Sequence, residues 1–333
     1  MKKATLSEIY TCCRTAGRWL RRLLLLPALL WSAGLWYYQP VSLFIPIITI
    51  ILWLLLHRRR TELTLWCSVL LSVIFYLILP GPQPQAWQTP WAKAPRFELN
   101  GDRLTIHNLR DFHYRSENDF DPIWRTEHYD LSTLIGADFA ECHWDGMEAI
   151  CHTMMSFAFA DGKHLVISAE TRLPEGEAQS AIGGLYKRYG LLYVFGTEED
   201  IFALRTNFRH EDLLLIPMKI KPQGARNMLM HFIEQAQQTE EQHTAYNTVA
   251  NNCSSGVMRT FRHLAPNMPR YYDLAPIHNG SISRILFHHG AFHSLPHESY
   301  EDFRTRSYLG YDLPSDDFSS VIRSRIAPAP SAP

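Results

Sequence analysis

The sequence predicts an α+β domain carried on three N-terminal transmembrane helices. Two features of the 333-residue chain lead there. Its first quarter is apolar and almost free of acidic residues, and in the longer remainder strand-like runs come first and helices later. Strands and helices segregated along the chain are the mark of an α+β fold. Charge is balanced at −1, so no nucleic acid or other polyanion is expected as a partner.

Three apolar runs make up the first quarter: Leu23 to Tyr38, Val41 to Leu56 and Thr64 to Leu79. Each is a little shorter than the roughly 20 residues that a span needs. Trp19, Trp36, Tyr37, Tyr38, Trp66 and Tyr76 extend them as interfacial belts. A cleavable signal peptide has one short apolar region, not three in succession. From Leu23 to Leu79 the only acidic residue is Glu62. Lys2, Lys3, Arg14, Arg18, Arg21 and Arg22 precede the first run, His57-Arg58-Arg59-Arg60 follows the second, and the loop at Gln39-Pro40 carries no cation. The positive-inside rule then sets the N-terminus in the cytoplasm and everything after Pro80 outside it. In a bacterium this is an inner-membrane anchor, residues 1–80, with a periplasmic domain. A purely cytosolic enzyme is excluded.

Gly81-Pro82-Gln83-Pro84-Gln85 cannot continue a helix, so residues 81–100 are expected to be a linker. Residues 101–312 then form the periplasmic catalytic domain. Residues 313–333 are expected to be a disordered tail, ending in the low-complexity stretch Ala327 to Pro333. Within the domain the strand-like runs are Arg103 to Asn108, Ala137 to Trp144, His152 to Phe159, His164 to Glu170 and Gly190 to Phe195. The helices are Pro222 to Gln238 and one that begins near Cys253.

Of six cysteines, Cys12 and Cys13 fall on the cytoplasmic side and Cys67 in the third span. Cys142 and Cys151 flank a turn at Asp145-Gly146, on adjacent strands of a hairpin. They are either a disulfide, which the periplasm permits, or two small core residues. Cys253 is left over, and an unpaired cysteine in an oxidising compartment is a candidate reactive thiol. Around it Asn251, Asn252, Ser254 and Ser255 are residues that start helices. Val257, Phe261 and Leu264 then recur at helical spacing, with Cys253 one turn earlier on the same stripe. A thiol at a helix N-terminus has its pKa lowered by the macrodipole and by free N–H groups. Those groups also suit a developing oxyanion.

A thiol nucleophile needs a base, and His152 is the best placed of sixteen histidines. It opens a strand ending at Phe159. Ala160-Asp161-Gly162-Lys163 then forms a hairpin loop with Gly162 in the left-handed position. That register sets Phe159 against Lys163 and His152 against Glu170, a carboxylate suited to orient the imidazole. The face they share carries Met154, Ser156, Ala158, Val166 and Ser168, and the helix of Cys253 is expected to pack there. His164 is the alternative third member, roughly 20 Å from Glu170 along the strand. Gly290 and Pro296 break up the cluster of His288, His289, His293 and His297, so no metal is expected. No glycine-rich phosphate loop is present, and no cofactor is implied.

These residues resemble the Lnb N-terminal periplasmic domain family from about Leu109 to Pro266. The matching pieces are Arg115-Ser-Glu-Asn-Asp-Phe120, Tyr129-Asp130-Leu131, His152 to Phe157, Ser168-Ala-Glu170, Glu175-Gly-Glu177, Gly184-Leu-Tyr186, Leu204-Arg-Thr-Asn207 and Tyr246-Asn247 through Asn251-Asn-Cys253. The best-known members of that family are bacterial lipoprotein N-acyltransferases. The order His then Cys also resembles circularly permuted papain-like (NlpC-type) enzymes such as lecithin:retinol acyltransferase. The resemblance implies a permuted papain-like thiol acyltransferase with Cys253 as nucleophile, His152 as base and Glu170 as third member. It places Asn252, Asn247 and Tyr246 in oxyanion or support roles, and Arg115, Arg172 and Arg205 as candidate grips for a lipid phosphate. The implied partners are a phospholipid acyl donor, a lipoprotein or other amine acceptor, and the membrane. A cysteine hydrolase (cell-wall peptidase, amidase or lipase) and a non-catalytic membrane-anchored scaffold are the competing classes.

Overall fold

A computed structural model describes residues 6–55, 61–144, 146–270, 272 and 279–326. The basic cluster at 57–60 and the stretch 327–333 lie outside the described residues. The chain divides into two compact units: Met1–Pro80 with Ile182–Arg188, and Gly81–Ala181 with Tyr189–Pro333.

The first unit is helical: α1 (Leu6–Tyr38), α2 (Phe44–Leu55) and α3 (Thr61–Ile78). Leu30, Ile47, Ile51, Leu70 and Leu77 are exposed on these helices, an apolar exterior unlike that of a bundle made for water. Trp36 Nε1 donates to Ser72 Oγ at 3.2 Å, tying α1 to α3. Of the three helices only α3 is both long and apolar enough to cross a membrane; the apolar parts of the other two, Leu23–Tyr38 and Pro40–Leu55, are shorter. Segment Ile182–Arg188 belongs to this unit. Tyr186 stacks on Tyr38 with ring centroids 5.3 Å apart. Lys187 Nζ donates to the carbonyls of Tyr76 and Leu79 at 2.9 and 2.7 Å. A cation thus meets the negative end of the α3 dipole.

The second unit is built on β1 (Arg96–Asn100), β2 (Arg103–Arg110), β3 (His113–Ser116), β4 (Asp119–Asp121), β5 (Trp124–Asp130), β6 (Leu134–His143), β7 (His152–Phe159), β8 (His164–Arg172), β9 (Gly190–Gly196) and β10 (Asp212–Pro217). The main sheet runs β1-β2-β9-β8-β7-β6-β10, with β5 added on β2, while β3 and β4 form a separate ribbon. All pairs are antiparallel except β2 with β9. Gly162 has φ +86°, and Phe159 N donates to Lys163 O at 3.0 Å. The β7–β8 pairs run from Ala158 with His164 to Met154 with Ser168, a register that, continued two residues further, sets His152 against Glu170. This is the register the hairpin loop predicts.

Six helices accompany the sheet: α5 (Glu198–Ala203), α6 (Pro222–Glu241), α7 (Cys253–Leu264), α8 (Ile282–His288), α9 (Tyr300–Ser307) and α10 (Phe318–Arg325), after the short α4 (Ala181–Gly184). Against Met155, Phe157, Ile167 and Tyr193 pack Phe232 of α6 and Val257 and Phe261 of α7. Against Met154, Val166 and Val194 on the other face pack Phe202 of α5 and Phe318 and Ile322 of α10. The helix of Cys253 therefore lies on the face opposite the one expected. The larger side chains are there, and apolar area buried drives packing. Close approach also needs Gly256, because a Cβ at that position would lie 2.5 Å from Tyr193 Oη.

Two other expectations change, and the alternative left open for Cys142 and Cys151 resolves to two core residues. Residues 81–100 are not a free linker. Arg96–Asn100 is β1, turned onto β2 through Gly101-Asp102, and Gln88 N donates to Leu173 O at 3.0 Å. Phe97 and Leu99 alternate with polar residues, a strand pattern that the proline-rich start obscured. Residues 313–326 are not disordered either. Leu313, Phe318, Ile322 and Ile326 are buried, and Arg323 pairs with Glu198 and Asp138. Cys142 and Cys151 are separate buried thiols. Cys142 lies directly across from His152, so Cys151, one residue along, points to the other face. Cys142 Sγ donates to Glu211 Oε2 at 2.9 Å and Cys151 Sγ to Asn279 O at 3.0 Å.

Candidate active site

The turn before α7 is held by asparagines. Asn247 Oδ1 accepts from the backbone of Val249 and Ala250 at 3.0 and 2.9 Å, and Asn251 Nδ2 donates to Ala245 O at 3.0 Å. Asn252 then caps the helix. Its Oδ1 accepts from Ser255 N at 2.9 Å, and Ser255 Oγ accepts from Asn252 N at 2.8 Å, a reciprocal capping box. Its amide donates to Thr248 O at 2.8 Å. Side chains expected to support an oxyanion thus spend their polar atoms on folding the turn. Of the N–H groups at the start of α7, that of Ser255 is taken by Asn252, and those of Cys253 and Ser254 are donors of the kind a helix leaves without partners.

Cys253 is buried, with Sγ 3.9 Å from Cys151 O and 3.8 Å from Ser254 Oγ. His152 and the N–H of Thr153 act on the thiol and favour its ionised form. The imidazole sits at the start of β7. Nε2 lies 2.6 Å from Ser168 Oγ and 3.3 Å from Glu170 Oε1. Ser168 Oγ in turn donates to Glu170 Oε1 at 2.6 Å. Nδ1 is then the nitrogen left for the thiol. Arg205 Nη2 completes the set, 3.1 Å from Glu170 Oε1, with Nη1 fixed on Ile201 O at 2.8 Å. Arg205 rides on a π-helical turn, Leu204–Phe208, a distortion that recurs at functional sites.

Opposed effects set the protonation states. Burial alone pushes the Cys253 thiol up, but the charge and hydrogen bond of His152, with the Thr153 N–H, outweigh it and pull the pKa down to about 7. Burial lowers the imidazole, yet Glu170 and the thiolate raise it to about 9. Glu170 is pushed up by burial and pulled well below the ordinary carboxylate range by His152, Arg205 and Ser168. Both shifts favour a thiolate beside an imidazolium, the activated state of a cysteine nucleophile.

The pair opens on a cavity of about 610 Å³. Tyr246, Arg205, Arg209 and Glu211 line it together with the apolar side chains of Trp144, Met147, Ile150 and Val249. The other two candidate arginines are elsewhere. Arg115 is exposed and paired with Asp119 and Asp121 at 2.6 and 2.7 Å. Arg172 is held by Glu240 at 2.8 Å and by the carbonyls of Trp91 and Ala92. His164 sits at the opposite end of the β7–β8 hairpin, near Glu198. Sequence reasoning missed Ser168 as a bridge, Thr153 as a donor to the thiol and Arg209 on the cavity wall. Only Ser168 had a signal, its i,i+2 spacing to Glu170 on one strand face. Among the described residues no three His, Cys, Asp or Glu side chains converge as a metal site.

No curated protein and no solved structure matches the chain significantly. A family model does match, over residues 120–279, a stretch that holds Cys253, His152, Ser168, Glu170 and Arg205. The matched model is that of the Lnb N-terminal periplasmic domain, the family its motifs resemble.

Proposed function

We propose that this protein is a membrane-anchored periplasmic thiol acyltransferase that moves an acyl chain from a phospholipid to an amine, most plausibly the N-terminus of a lipoprotein. One observation carries it. A thiol at the start of a helix is ion-paired with a histidine that Glu170 and Ser168 orient, beside a cavity with both apolar and charged walls. The three apolar helices would hold this site at the bilayer, with the N-terminus in the cytoplasm. The order His152 then Cys253 fits a permuted papain-like arrangement.

In the first half-reaction the Cys253 thiolate attacks the ester carbonyl. A tetrahedral oxyanion forms, and the N–H groups opening α7 stabilise it at roughly 3 kcal/mol per donor. The His152 imidazolium protonates the departing glycerol oxygen, releasing a lysophospholipid and leaving a thioester on Cys253. In the second, neutral His152 takes a proton from the incoming amine as it attacks the thioester. The amide leaves and the thiolate–imidazolium pair is restored.

Intact-mass analysis of the purified protein after exposure to labelled phospholipid tests this directly. The expected result is one acyl adduct, removed by neutral hydroxylamine and absent in Cys253→Ala. Release of free fatty acid with no transfer to an added amine would make the enzyme a hydrolase. Wild-type protein with no adduct and full activity in Cys253→Ala would leave the scaffold class standing.

A further inference from the structure

We infer that Ser168 is a positioning residue: its hydroxyl fixes the direction of the hydrogen-bond chain from His152 to Glu170 and so holds the imidazole in register with the Cys253 thiol. A serine hydroxyl has one proton to give. Ser168 Oγ lies 2.6 Å from Glu170 Oε1 and 2.6 Å from His152 Nε2. Glu170 accepts from Arg205 as well and is ionised, so the serine proton points to the carboxylate. The serine oxygen can then only accept from Nε2–H. That leaves Nδ1 as the nitrogen that exchanges a proton with sulfur, and Glu170 never needs to become protonated. The direct His152–Glu170 distance of 3.3 Å is too long to do this work well.

Ser168 is fully buried and stands directly across from Met154 in β7, two residues before Glu170 on the same face. The groups facing the imidazole are Glu170 from β8 and Cys253 from α7. Arg205 acts through Glu170, and Glu211 lies 3.8 Å from Arg205 Nε. Arg205 Nε is buried and makes no hydrogen bond. Removing the Ser168 hydroxyl leaves Nε2–H with a single distant acceptor. The imidazolium loses support, its pKa falls, and the thiol pKa rises.

This role rests on the Cys253–His152 pairing proposed above but not on the identity of the substrate, so its test reads the thiol alone. Full-length protein in detergent is alkylated with iodoacetamide from about pH 5 to about pH 10, and the Cys253 peptide is followed by mass spectrometry. In Ser168→Ala the midpoint should move up by about one unit, which slows alkylation about fivefold at about pH 7 and about tenfold well below it. Ser168→Thr keeps the hydroxyl on a side chain that suits a strand, and its midpoint should return to the wild-type value. A Ser168→Ala midpoint equal to wild type overturns the inference. So does an equal shift in both variants, which would mark a packing effect. A wild-type midpoint in the ordinary thiol range would instead sink the Cys253–His152 pairing itself.

Discussion

At each of its two ends the β7–β8 hairpin gathers a histidine, a glutamate, an arginine and a serine. At the first end stand His152, Ser168, Glu170 and Arg205; at the second, His164 and Ser156 with Glu198 of α5 and Arg323 of α10. The composition is the same and the chemistry is not. Arg323 grips Glu198 with two nitrogens, at 2.6 and 2.8 Å, and reaches Asp138 at 2.9 Å. Ser156 adds a bond at 2.6 Å. Little of that carboxylate is left for His164, whose Nδ1 is 3.9 Å away and has no hydrogen bond. Burial then prevails and lowers its pKa. Arg205 gives Glu170 one N–H only, so Ser168 and His152 share the carboxylate, and the imidazole pKa rises. How the arginine divides its donors decides whether a half-buried histidine is neutral filler or an imidazolium facing a thiol.

The comparison breaks most sharply at the thiol. Cys253→Ser should lower acyl transfer at least a thousandfold, on the order of losses seen when a nucleophile of a coupled set is removed. His152→Ala should lose roughly a hundred- to ten-thousandfold, the range for a positioned general base. His164→Ala should leave both transfer and Cys253 alkylation near wild type. Turnover measured with labelled phospholipid checks all three. An inactive His164→Ala with an intact fold would mean that the two ends are not distinct in function.

At the second end the expected loss is of stability. Arg323→Ala leaves the wholly buried Glu198 and its neighbour Asp138 facing one another without their cation. Breaking a buried pair costs about 3 kcal/mol or more. Thermal unfolding followed by circular dichroism should show a clear drop in Tm and weaker attachment of α10. The Cys253 alkylation midpoint should stay put. An unchanged Tm would show that this network does not secure the C-terminal helix.

Which parts were legible in the sequence follows from how local their causes are. The short loop at Ala160–Lys163, with glycine in the left-handed position, sets the register, and that register, continued past Met154 and Ser168, directs Glu170 toward His152. The asparagines and serines around Cys253 announce a helix start for an equally local reason, their affinity for free backbone N–H groups. The face that α7 covers was not legible. Both faces of β7 are buried, Met154 on one side and Met155 on the other, so alternation carries no sign of which meets a helix. Three arginines of equal standing in sequence divide by tertiary burial, and only Arg205 lines the cavity. The helix α10 was masked by Leu313-Pro314-Ser315-Asp316-Asp317, although Phe318, Ile322 and Ile326 keep a helical spacing behind it.

The smallest expected effect separates the two protons of the pair. Thiolate formation runs through about 7 and imidazolium loss through about 9, apparent values that belong to the coupled pair. Alkylation needs only the thiolate, so its rate should climb through the lower value and stay level above the higher one. Acylation by phospholipid also needs the imidazolium to protonate the leaving oxygen, so it should climb through the same lower value and then fall as pH rises past about 9. Glu170→Gln removes the negative charge that holds the imidazolium. Its alkaline limb should move toward neutral pH and its acid limb upward, narrowing the plateau from both sides with a smaller loss at the optimum than in His152→Ala. Parallel pH profiles of the two reactions in each protein measure this. Coincident profiles, with no alkaline fall in acylation, would show that His152 does not act as the acid and that the two ends of the hairpin differ only in having a thiol nearby.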